Sequence, residues 1–276
     1  MAAQPTVPAS RNLLMRVLAA VVLVPLALGC AYAGGVLWSA LVTLAVIGLF
    51  IEWLMVVDAF RQRPVAVAGA IALALAGACL ALGRFELALL AAVVGLAVVA
   101  ALSSQSRLWA VAGYLYAGAA LFAAVMLRAD REMGFAALIF VLLVVWATDI
   151  GGYFAGRGIG GPKLWPRVSP NKTWAGAVGG FLGSLVVAAG FAATGIGRMV
   201  PLLVLGGVLS VAGQLGDLFE SAVKRRFGVK DSSHIIPGHG GLMDRLDSLV
   251  VVLALAAVLG FVRHGADGIG RGLMVW

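Results

Sequence analysis

Gly134-Phe-Ala-Ala-Leu-Ile-Phe-Val-Leu-Leu-Val-Val-Trp-Ala-Thr-Asp149-Ile-Gly-Gly-Tyr-Phe154 is 21 residues long and carries one charged side chain, Asp149. A hydrocarbon core about 30 Å thick is crossed by roughly 20 apolar residues in α-helix, so the stretch reads as a membrane span. Its neighbours repeat the pattern. Apolar segments run from Leu13 to Ala31, Val36 to Val57, Val65 to Leu82, Phe85 to Leu102 and Leu108 to Leu127 before it. Trp174 to Thr194, Val200 to Ser221 and Leu246 to Val262 follow it. None shows the two-residue alternation of a barrel strand, and a backbone in lipid must satisfy its own hydrogen bonds, which leaves helices. The expected fold is all-α: a polytopic integral membrane protein with about nine transmembrane helices. The third and fourth segments are short and parted only by Gly83-Arg84, so a re-entrant pair is the alternative there.

Composition agrees with that reading. The chain is 62% hydrophobic and 12% charged, and soluble domains carry about a quarter charged residues. Its 276 residues would suit two soluble domains, but here they suit one bundle. Cys30 and Cys79 lie inside apolar runs far apart in sequence, which suggests neither a disulfide framework nor a thiolate metal site. The apolar stretch after Arg16 resembles a signal-peptide core, yet no polar domain follows it, so it reads as the first span. The chain divides into an N-terminal bundle (residues 1–130), a C-terminal region (131–263) with polar loops at 156–173 and 222–245, and a short tail (264–276).

A net charge of +8 raises the question of nucleic acid. The cations sit in short loops and not along a soluble face, which points to topology and phosphate chemistry, with no nucleic-acid partner. Under the nine-span reading, 14 of the 20 cations fall on one side together with the N-terminus, which the positive-inside rule assigns to the cytoplasm. Two loops, 156–173 and 222–245, make that bias, and they also hold all four lysines while the 16 arginines spread over the chain. Lysine retained there suggests a compact, flexible point charge.

The densest of these polar stretches is Ser221-Ala-Val-Lys-Arg-Arg-Phe-Gly-Val-Lys-Asp-Ser-Ser-His-Ile-Ile-Pro-Gly-His-Gly-Gly-Leu-Met-Asp-Arg-Leu-Asp247. Its 27 residues carry five of the 20 basic residues, three of the 12 acids and two of the three histidines, between apolar segments. Three helix ends meet on this side. Asp149 lies near the end of the sixth span, Asp217 and Glu220 close the eighth, and Asp244 and Asp247 open the ninth. Asp217, Glu220 or Ser221, and Lys224 share one helical face by spacing, as do Asp244 and Asp247. Ionisable groups at span edges are costly and default to function. Converging carboxylates need a positive partner, either a hard divalent cation held by oxygens or the cations Lys224, Arg225, Arg226, Lys230 and Arg245. Mg²⁺ prefers one or two carboxylates completed by substrate phosphates. Gly238, Gly240 and Gly241 around His239 make a turn whose amides can approach phosphate oxygens. The other loop adds Ser169, Lys172 and Thr173, the hydroxyls also reading as caps of the seventh span. Blander readings exist for each part: basic loops set topology, an acid at a helix start is commonly a cap, and Glu52 reads as a buried polar residue pairing with another helix.

The pattern S-x-V-K-R-x4-K-D-x-S-x2-I-P-x-H-G-G-L-x-D-R-L-D from Ser221 to Asp247 resembles the signature of the phosphatidate cytidylyltransferases, or CDP-diglyceride synthases. Asp149-Ile-Gly-Gly-Tyr-Phe-Ala-Gly, Ser169-Pro-Asn-Lys-Thr and Gly216-Asp-Leu-Phe-Glu-Ser resemble the same family, so the matches cover roughly Thr148 to Asp247. The chain departs from many relatives in carrying Ala175 where they have Glu. The resemblance implies attack of phosphatidic acid on the α-phosphate of CTP, giving CDP-diacylglycerol and pyrophosphate at the cytoplasmic face of a bacterial-type inner membrane. It implies Asp217 and Asp244 as metal ligands, with Asp149, Asp231 and Asp247 as further ligands or their partners. On the same resemblance Lys224 and Arg245 would act with those two acids on the reacting phosphates, and Ser169, Lys172, Thr173, Ser221, Arg225, Lys230, His239, Gly240 and Gly241 would contact substrate. It implies Mg²⁺, a second cation such as K⁺, membrane lipid around the site, and a homodimer.

Two other classes are weighed against this. A transporter for an anionic solute predicts charges near the midplane on broken helices and repeat symmetry between halves, whereas these charges gather at one membrane edge. Another CTP-using lipid enzyme, such as a polyprenol kinase, would not need the full signature, and the Asp-Gly-x2-Ala-Arg pattern of the CDP-alcohol phosphotransferases is absent.

Overall fold

The computed structural model describes residues 9–104, 106–233 and 240–276. Its long helices are α1 (Ala9–Ala33), α2 (Gly35–Val56), α3 (Arg63–Ala81), α4 (Phe85–Leu102), α5 (Arg107–Ala129), α6 (Gly134–Gly158), α7 (Trp174–Ala193), α8 (Met199–Arg226) and α9 (Met243–His264). The eight from α2 to α9 are each long and apolar enough to cross a bilayer, and α1 adds an apolar stretch from Val21 to Ala33. The chain is thus an all-α integral membrane protein of about nine spans. The third and fourth segments are 19 and 18 residues of continuous helix, each of spanning length, so they form two spans and not a re-entrant pair.

The turns explain how so many spans fit so short a chain. Gly34 alone joins α1 to α2, at φ +65°, and a Cβ there would press on the Arg128 guanidinium at 2.7 Å. Gly83, at φ +69°, turns α3 into α4. Indole donors then fasten α2 to α5 across the bundle: Trp38 Nε1 donates to the Ala124 carbonyl at 2.9 Å and Trp53 Nε1 to the Trp109 carbonyl at 2.8 Å. Phe50, Trp53, Leu54, Leu121, Phe140 and Met243 fill the core between them. Water-driven burial is weak inside a bilayer, so close packing and such directed bonds hold the helices together.

One helix pair packs more closely than the others. The face of α7 turned inward is Gly176, Gly180, Ser184 and Ala188, a small residue at every fourth position. Against it lie Thr148, Gly151, Gly152 and Ala155 of α6, close enough that a Cβ on Gly151 would stand 2.6 Å from the Gly179 carbonyl. Small-xxx-small seams of this kind let two backbones touch.

Alternation of spans sorts the connections into two ends. The loops before α3, α5, α7 and α9 share the end of the N-terminus, and those before α2, α4, α6 and α8 lie at the other with the C-terminus. At the first end two strands, β1 (Lys163–Trp165) and β2 (Ser169–Thr173), pair antiparallel between α6 and α7. This hairpin was not expected. Ser169 therefore belongs to β2, and Thr173 alone caps α7, its Oγ1 accepting from Gly176 N at 3.1 Å. Two helices also run past their apolar limits, α6 to Gly158 and α8 to Arg226.

At the other end the tail folds back as α10 (Ile269–Met274), whose Gly272 meets Gly260 of α9. Asp130 locks it. Its carboxylate accepts from Glu132 N at 2.9 Å, Met133 N at 3.2 Å and Arg271 N at 2.8 Å, and is buried. Asp130→Ala should therefore lower stability by about 1–3 kcal/mol, the cost of stranding buried donors. The measurement is a lower Tm in detergent. The half-exposed Arg271 charge adds little to this.

Candidate active site

The polar residues gather at the end shared by the β-hairpin and the α8–α9 loop. A cavity of about 600 Å³ opens there between α6, α7, α8 and the hairpin, lined by Asp149, Arg157, Asn171, Lys172, Gln214 and Asp217 among others. The local chain explains each placement. Because α6 continues to Gly158, Asp149 lies nine residues, about 14 Å, from the helix end, against five residues and about 7.5 Å for an end at Phe154. Gly152 and Gly156 lie on the same cavity wall, where the absence of side chains lets α6 approach Gly176 and Thr173 at the start of α7. β2 delivers Lys172 over the cavity, and its ammonium pairs with the Asp217 carboxylate. Ser221, one turn along α8, donates to Asp217 at 3.4 Å. Gln214 donates to the Ala177 carbonyl at 3.3 Å and so fixes α8 to α7 at the cavity floor.

A second cluster surrounds Asp244. Lys224 Nζ donates to Asp244 at 2.6 Å and stands 2.8 Å from Glu220, off the line of a directed hydrogen bond. Asp244 also accepts from Ser232 N at 3.2 Å and Gly241 N at 3.0 Å. Lys224 is thus a helical residue, since α8 extends through it, and the predicted face of Asp217, Glu220, Ser221 and Lys224 is one face of that helix. Asp247 lies between the clusters, within electrostatic reach of Asp217 and Asp149 on one side and Glu220 on the other. Tyr116 of α5 donates to the Asp247 backbone carbonyl at 3.1 Å.

The remaining sequence-derived residues are placed less uniformly. Gly240 and Gly241 are at the end of the α8–α9 loop, Gly240 at φ +83°. Arg225 is exposed and donates to the Val168 and Val229 carbonyls at 3.4 and 3.2 Å, bridging the hairpin and the loop. Lys230, Asp231 and Arg245 are exposed at the same end. His239 lies outside the described residues. Ala175 stands in the first turn of α7, which carries no acid. Among the described residues no three acidic, imidazole or thiol side chains converge tightly enough to form a metal cage by themselves.

Four contributors were not legible as parts of the site. Arg157, Asn171 and Gln214 join the cavity only through the hairpin and the α7–α8 packing. Glu52 comes from α2, in the other half of the chain, and is fully buried against the α8–α9 loop. As the one charged residue of its span it was the available signal.

The structure thus defines a class: a helical membrane bundle with acid–lysine pairs gathered at one end, one of them lining a cavity. Residues 14–262 match the model of the cytidylyltransferase family, and the chain belongs to that family. It is 42% identical over 263 residues to phosphatidate cytidylyltransferases of Brucella suis and Brucella melitensis, covering 93% of this chain and 96% of theirs. A phosphatidate cytidylyltransferase of Staphylococcus saprophyticus is 50% identical over 132 residues, 47% of this chain and 50% of that one.

Proposed function

We propose that this chain transfers a cytidylyl group from CTP to phosphatidate, forming CDP-diacylglycerol and pyrophosphate. A phosphate oxygen of the lipid forms a bond to the α-phosphorus of CTP, and the bond from that phosphorus to the bridging oxygen of pyrophosphate breaks. The lipid phosphate is itself the nucleophile, so the protein's part is positioning and charge compensation. The observation that carries this reading is the cavity where Lys172 and Arg157 face Asp149 and Asp217 at a membrane end. A lipid phosphate at headgroup depth and a water-borne triphosphate can both reach such a place. Lys172 is held on Asp217 by a short ion pair at the cavity, where its ammonium can meet an incoming phosphate, and Lys224 is buried between Asp244 and Glu220 at the same end.

The acids fit a divalent cation by their charge. Asp149, Asp217 and Asp247 share one electrostatic neighbourhood with Lys172, an excess of negative charge that a cation would offset. No complete protein cage is present among the described residues, which suits Mg²⁺, an ion that binds through one or two carboxylates plus phosphates. Asp217 and Asp244 would hold it, with Asp247 between their two clusters and Asp149 beside Asp217. When bound it would neutralise charge developing on the phosphates. The same reading puts this end of the molecule in the cytoplasm, where CTP is, in agreement with the excess of cations there.

Membranes carrying the chain should convert CTP and phosphatidate to CDP-diacylglycerol. A chelator should stop the reaction and added Mg²⁺ restore it. Absence of turnover under conditions where a known synthase works would overturn the reading.

A further inference from the structure

The Glu52 carboxylate lies within hydrogen-bond distance of four donor groups in a segment about 180 residues away in sequence. Its Oε1 accepts from the Ser233 hydroxyl at 2.7 Å and from Leu242 N at 2.9 Å. Its Oε2 accepts from Met243 N at 2.7 Å and lies 2.9 Å from the Ser232 hydroxyl. Ser232 and Ser233 begin the polar turn of the α8–α9 loop, and Leu242 and Met243 end it at the first turn of α9. One carboxylate therefore clasps both ends of the turn. It also caps α9, where free amides and the helix dipole favour an anion.

The clasp reaches Asp244 directly. The Ser232 hydroxyl is 2.9 Å from Glu52 and 3.1 Å from Asp244, and a hydroxyl has a single proton to donate. The backbone amides of Ser232 and Gly241, whose positions the clasp sets, both donate to Asp244. The packing leaves no slack. A Cβ on Gly241 would overlap the Ser232 hydroxyl and stand 2.6 Å from Glu52 Oε2.

We infer that Glu52 is a positioning residue for the transfer reaction: from the N-terminal half of the chain it sets the orientation of Asp244 through Ser232 and the turn amides. The inference rests on the functional reading above. Four donors converge on two oxygens, so a carboxylate is required. Glutamine of the same shape would turn an N–H₂ toward at least one donor pair. Hydrogen bonds that orient a site carboxylate from behind are worth about 10–100-fold in activity.

The test uses the full-length protein in membranes, with kcat and KM for CTP and phosphatidate measured beside Tm. Glu52→Gln should lower kcat about 10–100-fold, with both KM values within about twofold. Glu52→Asp, which keeps two acceptors on a shorter arm, should recover part of the loss. Ser232→Ala should also lower kcat, and in the double variant the losses should not multiply, because both act along one path to Asp244. If Glu52→Gln does not accumulate, Ser232→Ala decides: a fall in kcat at unchanged KM supports the inference. Retention of parental kcat by Glu52→Gln or Ser232→Ala, or multiplying losses, overturns it while leaving the functional reading intact. A parent chain without turnover removes both.

Discussion

Asp244→Asn should cut CDP-diacylglycerol formation by about 100–1,000-fold, the range seen when one preorganised electrostatic group is removed from an active site. Among the described residues the Lys224 ammonium and the amides of Ser232 and Gly241 donate to Asp244, and the Ser232 hydroxyl stands 3.1 Å away. An asparagine amide nitrogen would oppose some of them, and loss of the charge would leave Lys224 with Glu220 alone. It would also remove one of the two carboxylates proposed to hold Mg²⁺. Asp217→Asn should behave alike from the cavity side, freeing Lys172. Turnover in membranes, normalised to the amount of folded protein, is the measurement. If both variants keep more than a tenth of parental activity, the metal assignment fails.

Gly180→Val is expected to damage the fold and the cavity together. A Cβ at Gly180 would stand 2.6 Å from the Thr148 carbonyl and 3.1 Å from its methyl, against backbone that cannot yield. Two helices in van der Waals contact along a small-residue seam must part to admit the side chain, at about 1–3 kcal/mol or more for overpacking. The effect does not stop at stability. The helices so separated are α6, which carries Asp149, and α7, which begins directly after Lys172 and Thr173. Cavity geometry and activity should fall with it. Gly190→Ala, on the same helix with nothing within 4 Å of its Cβ, should change Tm little. Equal Tm for the parent, Gly180→Val and Gly190→Ala would show that the seam does not hold the bundle.

The Asp244 and Glu52 experiments probe one turn from two directions. Asp244 is held from α8 by Lys224, while Glu52 of α2 meets the loop through Ser232, Ser233, Leu242 and Met243. A loss common to both, without a shift in KM, would make the α8–α9 turn a single mechanical unit.

The number and limits of the spans were legible because a bilayer imposes length and apolarity on each segment independently of its partners. The polar island from Ser221 to Asp247 was legible for the converse reason, since charge is too costly among spans to be incidental. Spacing along α8 was enough to place Asp217, Ser221 and Lys224 on one face, because helix periodicity is local. The β-hairpin escaped because a pair of short strands in a Gly- and Pro-rich loop has no apolar pattern to announce it. The extension of α6 to Gly158 escaped because Ala155-Gly-Arg-Gly158 has no apolar pattern to announce a helix.

Sequence alone therefore determined the all-helical membrane architecture, the end at which charge collects, and most of the side chains there. Tertiary structure alone decided which acid meets which lysine, Asp217 with Lys172 and Asp244 with Lys224 and Glu220. It alone brought Glu52 of α2 beneath the turn before α9. The physical reason is that hydropathy and helical period act over a few turns of one segment. A hydrogen bond across 180 residues depends on how separate helices pack, and that follows from seams such as Gly176–Gly180–Ser184.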